Sequence, residues 1–254
     1  MEPLLESIIL DLLLMLIVFG YVFLTIIIPV QLKKRDIISK FAARKMVHLF
    51  AGLSVLSTPF FRWPYFSIVI AGSLTILTYF SSKNSSIKKL KELYDTIGEE
   101  AEEQLNRKYL QGPFHYCLSI TLLVSIFVIF APHQLYFPIA GILIMIISDT
   151  LASIVGKRWG RIKIKFPWTG HRTLLGSSAM FVSALILTFG SFFYFGLFNP
   201  LTQVPLTWNI IILYAFITAI LATVIELLSP STWDDLTVPI GCTLIIYLLF
   251  CIYI

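Results

Sequence analysis

The sequence predicts an all-α protein, a polytopic membrane helical bundle of about eight transmembrane helices. Three observations carry this prediction. Apolar residues make up 57% of the 254-residue chain and charged residues 13%, with a mean hydropathy of +0.87, which excludes a soluble globular domain. Repeated apolar runs approach or reach the ~20 residues a helix needs to cross a bilayer core. The cations fall in alternate connections between those runs, as loops on one side of a membrane do.

Taken in order, the expected spans are 8–30, 46–61, 64–81, 113–131, 134–155, 174–198, 207–228 and 236–254. Residues 1–11, where the first begins, carry Glu2, Glu6 and Asp11 rather than basic residues. Its apolar run from Leu12 to Val30 is too long for a signal-peptide core, and no Ala-x-Ala site follows, so it reads as a retained helix. The second is short and opens on Lys45-Met46-Val47-His48. After the third, residues 82–112 turn polar, with Leu90, Leu93, Ile97, Ala101 and Leu105 at helical spacing. That pattern predicts a cytoplasmic amphipathic surface helix whose acids, Glu99, Glu100, Glu102 and Glu103, face water. Gln111-Gly112-Pro113 breaks it before the fourth span. The fifth span ends in polar sequence around Asp149, the sixth follows Arg172-Thr173, and the seventh carries Glu226 near its end. The whole, 1–254, is expected to form a single integral membrane domain.

Eighteen of the 19 Lys and Arg residues lie in connections one, three and five, and Arg62 alone lies elsewhere. The positive-inside rule makes that face cytoplasmic, in a plasma or endoplasmic reticulum membrane according to the organism. The seventh connection falls on the same face and holds Asp234 and Asp235. Cys117, Cys242 and Cys251 have neither metal-ligand spacing nor an evident disulfide partner and read as buried small residues.

Residues 147–178 form a polar island between apolar runs, with Asp149 and six cations: Lys157, Arg158, Arg161, Lys163, Lys165 and Arg172. An acid at a helix end feeding a long cationic connection points to an anionic ligand such as a phosphate or nucleotide, the other reading being a loop that obeys the charge bias. Within it, Lys157 and Arg158 can neutralise anionic oxygens, while Gly156 and Gly160 can admit a phosphate or make sharp turns. Asp149 can hold Mg2+, position an alcohol, or pair with Lys157 or Arg161. Arg172 offers a forked phosphate contact, Thr173 can cap the following helix, and Gly176 and Ser177 can permit tight helix packing. In the second span Arg44 and His48 are i,i+4 and share a helix face with Lys45 nearby. They can contact phosphate or orient an alcohol; equally, Arg44 can snorkel while His48 meets a carbonyl.

Four ordered segments resemble the polyprenol kinase family, the group of phytol kinases, dolichol kinases and CTP-dependent diacylglycerol kinases. They are Arg44-Lys45-Met46-Val47-His48 with Gly52; Asp149-Thr150-Leu151-Ala152-Ser153-Ile154-Val155-Gly156-Lys157 with Gly160; Thr173-Leu174-Leu175-Gly176-Ser177; and Glu226 followed by Asp234-Asp235-Leu236-Thr237-Val238-Pro239. The resemblance implies a kinase that moves phosphate from CTP, with Mg2+, to the hydroxyl of a membrane lipid such as phytol, dolichol or diacylglycerol. By the same resemblance 147–178 is a nucleotide-binding region using Gly156, Lys157, Arg158, Gly160, Arg172, Thr173 and Gly176. Asp149, Lys157 and Arg172 are the catalytic candidates, Asp149, Glu226, Asp234 and Asp235 the metal candidates, and Arg44, Lys45 and His48 the positioning candidates. Two positions depart from the family pattern: His171 stands where a Lys is expected before Arg172-Thr173, and Asp235 replaces an Asn. A phosphatidate cytidylyltransferase and a non-enzymatic lipid transporter or assembly factor are the alternatives. The partners expected are the bilayer, CTP and a lipid alcohol, with no nucleic acid and no predicted homo-oligomer.

Overall fold

A computed structural model describes residues 2–81, 87, 91, 95, 111–164, 166, 172–199, 201, 203–230 and 233–253. The amphipathic connection expected over 82–112 lies largely outside the described residues, as do Lys165 and His171. The chain divides into two compact units, Met1–Ser125 and Ile126–Ile254.

In the first unit, α1 runs from Glu2 to Lys34, longer at both ends than the apolar run alone suggests. It stops because Asp36 adopts a left-handed conformation (φ 53°), letting Ile37 N–H donate to Leu32 O at 3.0 Å and Asp36 N–H to Lys33 O at 2.9 Å. Those two bonds satisfy carbonyls the helix end would otherwise strand. Ser39 then caps α2 (Lys40–Gly52), its hydroxyl accepting from Ala42 N–H at 3.2 Å. A 3₁₀ stretch, Leu53–Phe60, and α3, Tyr65–Phe80, follow. The turn between them is held by a buried acid. Asp11 of α1 accepts from Arg62 N–H at 3.0 Å and from Trp63 N–H at 2.7 Å. An acid in an apolar helix thus finds backbone donors, which is how a buried carboxylate is normally satisfied.

Helix α4, Gln111–Phe130, opens with Pro113 in its first turn, where a missing N–H costs nothing, so Pro113 starts the helix rather than preceding it. The second unit continues through α5 (Tyr136–Leu143), a π-helical turn (Ile144–Ser148) and α6 (Asp149–Trp159), which together make one 24-residue apolar rod. The expected end at residue 155 is therefore corrected: Gly156 and Lys157 are still helical, and the break falls at Gly160. After α6 comes an antiparallel pair of two-residue strands, β1 (Lys163–Ile164) and β2 (Arg172–Thr173), with Lys163 opposite Thr173 and Ile164 opposite Arg172. Helix α7, Leu174–Ser191, runs on into a π stretch, Phe192–Phe198. Helices α8 (Trp208–Leu228) and α9 (Asp234–Tyr253) complete the unit. Asp234 and Asp235 sit in the first turn of α9, not in the connection before it, so their charges face the positive end of its dipole.

The architecture is all-α and multi-pass. Among the described residues six helices are long and apolar enough to cross a membrane, against about eight expected. The difference lies in the expected spans 46–61 and 64–81. The first of these is divided between α2 and the 3₁₀ stretch, and α3 has only 16 residues.

The second unit packs around Ala152, Ala184, Ala219, Ala222 and Cys242, with Ile144, Met180 and Val238 among them. In lipid the hydrophobic effect does not drive helices together, so close approach over small side chains supplies the packing energy. Toward the other end Tyr136, Phe137, Phe192 and Phe250 stack edge to face at ring separations of 5.2–5.5 Å.

Candidate active site

The start of α7 sets the geometry. Thr173 is its N-cap, its hydroxyl accepting from Gly176 N–H at 3.1 Å, as expected of a Thr at a helix start. Three glycines enclose that hydroxyl. A Cβ on Gly160 would lie 2.5 Å from Thr173 Oγ1, one on Gly156 2.8 Å, and one on Gly176 3.0 Å from both Thr173 Oγ1 and Ala152 O. The glycines expected to approach a phosphate therefore first let α6 and α7 meet across Thr173. Gly176→Ala and Gly160→Ala should each lower stability by about 1–3 kcal/mol, the usual cost of overpacking a tight site. Gly20→Ala, where nothing lies within 4 Å, should change the melting temperature of the purified protein little.

Immediately before the cap, Arg172 is pinned between two acids. One terminal guanidinium nitrogen meets Glu226 Oε1 of α8 at 2.5 Å, and the other meets Asp234 Oδ2 of α9 at 2.9 Å. Arg172 and Asp234 are only partly covered, with side-chain exposures of 16% and 18%, whereas Glu226 is at 4%. Burial alone would lower the pKa of the guanidinium. Glu226 and Asp234, with a further contribution from Asp149, outweigh that and hold it above its ordinary value. Arg172 is thus a permanent cation.

Asp149 enters directly after the π turn of Ile144–Ser148, where α5 passes into α6. Such turns are rare and concentrate at functional sites. A carboxylate oxygen of Asp149 and one of Asp235 lie within 4.8 Å of each other. The second unit therefore brings all four expected metal ligands, Asp149, Glu226, Asp234 and Asp235, to the end that carries Arg172. Lys157 and Arg158 occupy the last turn of α6, exposed, with Arg158 lying over the Trp159 ring at 4.9 Å.

The remaining expected residues belong to the first unit. Arg44, Lys45 and His48 lie on α2, with Arg44 and His48 one turn apart. His48 is buried against Tyr116, whose ring centroid is 4.3 Å away and whose hydroxyl donates to His48 O at 2.7 Å.

No family model matches the chain, and no solved structure matches it. A probable chloroplastic phytol kinase 2 of Glycine max is 28% identical over 222 residues, covering 87% of this chain and 69% of that protein. A probable chloroplastic phytol kinase 1 of Oryza sativa subsp. japonica is 28% identical over 232 residues, 86% of this chain and 68% of its own length. The chloroplastic phytol kinase 1 of Arabidopsis thaliana is 24% identical over 231 residues, with coverages of 87% and 70%.

The chain thus resembles the phytol kinases.

Kinases use a phosphate donor together with a divalent cation, and the acidic cluster bears on the second. Four carboxylates collect about a guanidinium that is shared by two of them. Glu226 Oε2 is buried without a hydrogen-bond partner among the described residues. An orphaned carboxylate oxygen and a pair of neighbouring acids form a hard oxygen donor set of the kind that suits Mg2+, so the residues fit a divalent cation.

Nothing in residue spacing singles out Ser148 and Thr150, yet the structure does. Both hydroxyls are buried on either side of Asp149, and neither has a partner among the described residues. Their one sequence signal is position: two hydroxyls flanking an acid inside an apolar run. The joining of Arg172 to Glu226 and Asp234 has no local signal, because those residues are 54 and 62 positions apart from it.

Proposed function

We propose that this chain is a kinase that transfers the terminal phosphate of CTP to the hydroxyl of a membrane prenol, phytol being the substrate named in its relatives. The observation that carries this reading is the collection of Asp149, Glu226, Asp234 and Asp235 about Arg172, in a chain similar to phytol kinases. Phosphoryl transfer asks little covalent work of a protein and depends on positioning and charge compensation. Mg2+, when bound, would supply the charge that draws the donor's phosphate oxygens toward the acids.

In this reading Asp149 and Asp235 hold the cation, with Glu226 Oε2 and Asp234 beside them. The close Asp149–Asp235 pair favours metal ligation by Asp149 over proton abstraction. Arg172 fixes Glu226 and Asp234 and stabilises developing phosphate charge. Lys157 and Arg158, exposed at the end of α6, meet the donor's phosphates. Gly156, Gly160, Thr173 and Gly176 shape the backbone against which the nucleotide lies. Arg44, Lys45 and His48 of the first unit orient the lipid alcohol. The charged connections face the cytoplasmic side, where the nucleotide is.

The test is product identification. Purified protein in lipid nanodiscs, given Mg2+, labelled CTP and a panel of prenols and diacylglycerol, should yield one phosphorylated alcohol and an equal amount of CDP. A CDP-lipid with pyrophosphate would establish a cytidylyltransferase instead. No turnover with any lipid or nucleotide would establish a scaffold without kinase activity.

A further inference from the structure

The end of α6 and the first strand carry a surface that the kinase reading does not use. Trp159 and Ile162 are 55% and 63% exposed, and Leu174, which pairs its N–H with Ile162 O at 3.0 Å, is 50% exposed. Interleaved with them are the exposed cations Arg161 and Lys163. Neither cation forms a salt bridge among the described residues. Apolar exposure alone would indicate contact with acyl chains. Two cations flanking Ile162 exclude the hydrocarbon and place the patch at the headgroup level, where Trp and cationic side chains concentrate.

We infer that Trp159, Arg161, Ile162, Lys163 and Leu174 form an interfacial surface that binds the headgroups of anionic phospholipids. Charge complementarity names the occupant, since an anionic headgroup offers phosphate oxygens at the depth of the cations and acyl chains at the depth of Trp159 and Ile162. The surface is also joined to the site by backbone pairing. Lys163 lies opposite Thr173, and Ile164 opposite Arg172. Anchoring β1 at the membrane surface therefore steadies the strand that presents Arg172 to Glu226 and Asp234. Lipid binding stands apart from the kinase reading; only its effect on turnover rests on it.

The full chain in phosphatidylcholine nanodiscs containing phosphatidylglycerol tests this, with spin-labelled phosphatidylglycerol and spin-labelled phosphatidylcholine as probes of protein-bound lipid. The wild type should prefer phosphatidylglycerol. Arg161→Gln/Lys163→Gln should lower that preference about tenfold, in keeping with the attraction of cations to an anionic surface. Raising the salt should weaken the wild-type preference. Lys34→Gln/Arg35→Gln removes the same charge from the first unit and should change the preference less. Equal losses in the two double variants would show a general charge effect and overturn the inference, as would displacement of the bound lipid by inorganic phosphate or CTP. Unchanged circular dichroism and melting temperature in Arg161→Gln/Lys163→Gln would exclude unfolding; if that variant unfolds, Trp159→Ala replaces it, with a loss of bound phosphatidylglycerol expected and an unchanged preference overturning the inference. The probes report binding without turnover, so an inactive kinase with intact lipid preference would defeat the proposed reaction alone.

Discussion

Asp149→Asn should lower turnover at least about a hundredfold while membrane insertion and yield are preserved, the loss expected when an essential acid or electrostatic group is neutralised. Asparagine keeps the size of the side chain and part of its hydrogen bonding but removes its charge. Because carboxylate oxygens of Asp149 and Asp235 approach within 4.8 Å, the substitution also relieves repulsion between like charges. The variant should therefore melt no lower than the wild type in the absence of divalent cations. Added Mg2+ should raise the melting temperature of the wild type, as any ligand of the native state does, and should raise that of Asp149→Asn much less. Normal turnover in Asp149→Asn would remove the charged role assigned to this residue. A fall in yield and insertion together would show that its part is structural, so melting and turnover belong on one preparation.

Arg172→Lys should be costly although it conserves charge. The two terminal nitrogens of Arg172 reach different helices, Glu226 on α8 and Asp234 on α9. A lysine ammonium is a single point and cannot reproduce that fork. One acid loses its partner, and for the nearly buried Glu226 an unmet carboxylate is the larger penalty. A loss of about 1–3 kcal/mol in stability is expected for Arg172→Lys. Arg172→Met, which removes the charge altogether, should lose about 3–5 kcal/mol, as breaking a buried pair from one side does. Adding Glu226→Gln to Arg172→Met should recover much of that stability and none of the activity. Reversible unfolding monitored by circular dichroism checks the stabilities, and labelled-phosphate transfer checks the turnover. Equal stability and turnover in Arg172→Lys and the wild type would mean that one positive charge suffices.

Much of this molecule is legible in its residues because the relevant signals are local. An apolar run of membrane length must satisfy its backbone internally, so α1, α4, α8 and α9 could be placed from composition alone. Thr173 announces itself as a cap because capping involves only residues within a few positions. The breaks are less legible. Gly156 follows the span expected to end at residue 155, yet α6 continues to Trp159, and Gly156 serves the crossing with α7 rather than a turn. A glycine's sequence position does not reveal what would occupy its missing Cβ.

By itself the sequence determined the helical class, the multi-pass character and the residue types able to bind phosphate and a divalent cation. Hydropathy and charge are properties of each residue against its solvent and need no knowledge of neighbours. Tertiary structure alone decided which acids meet Arg172. It also showed that the glycines enclose Thr173, that Ser148 and Thr150 are buried beside Asp149 without partners among the described residues, and that Asp11 binds the turn at Arg62 and Trp63. Each of these depends on which helix faces lie against one another. In a membrane that is decided by close packing over small residues and by buried polar groups finding partners, and neither leaves a period in the chain.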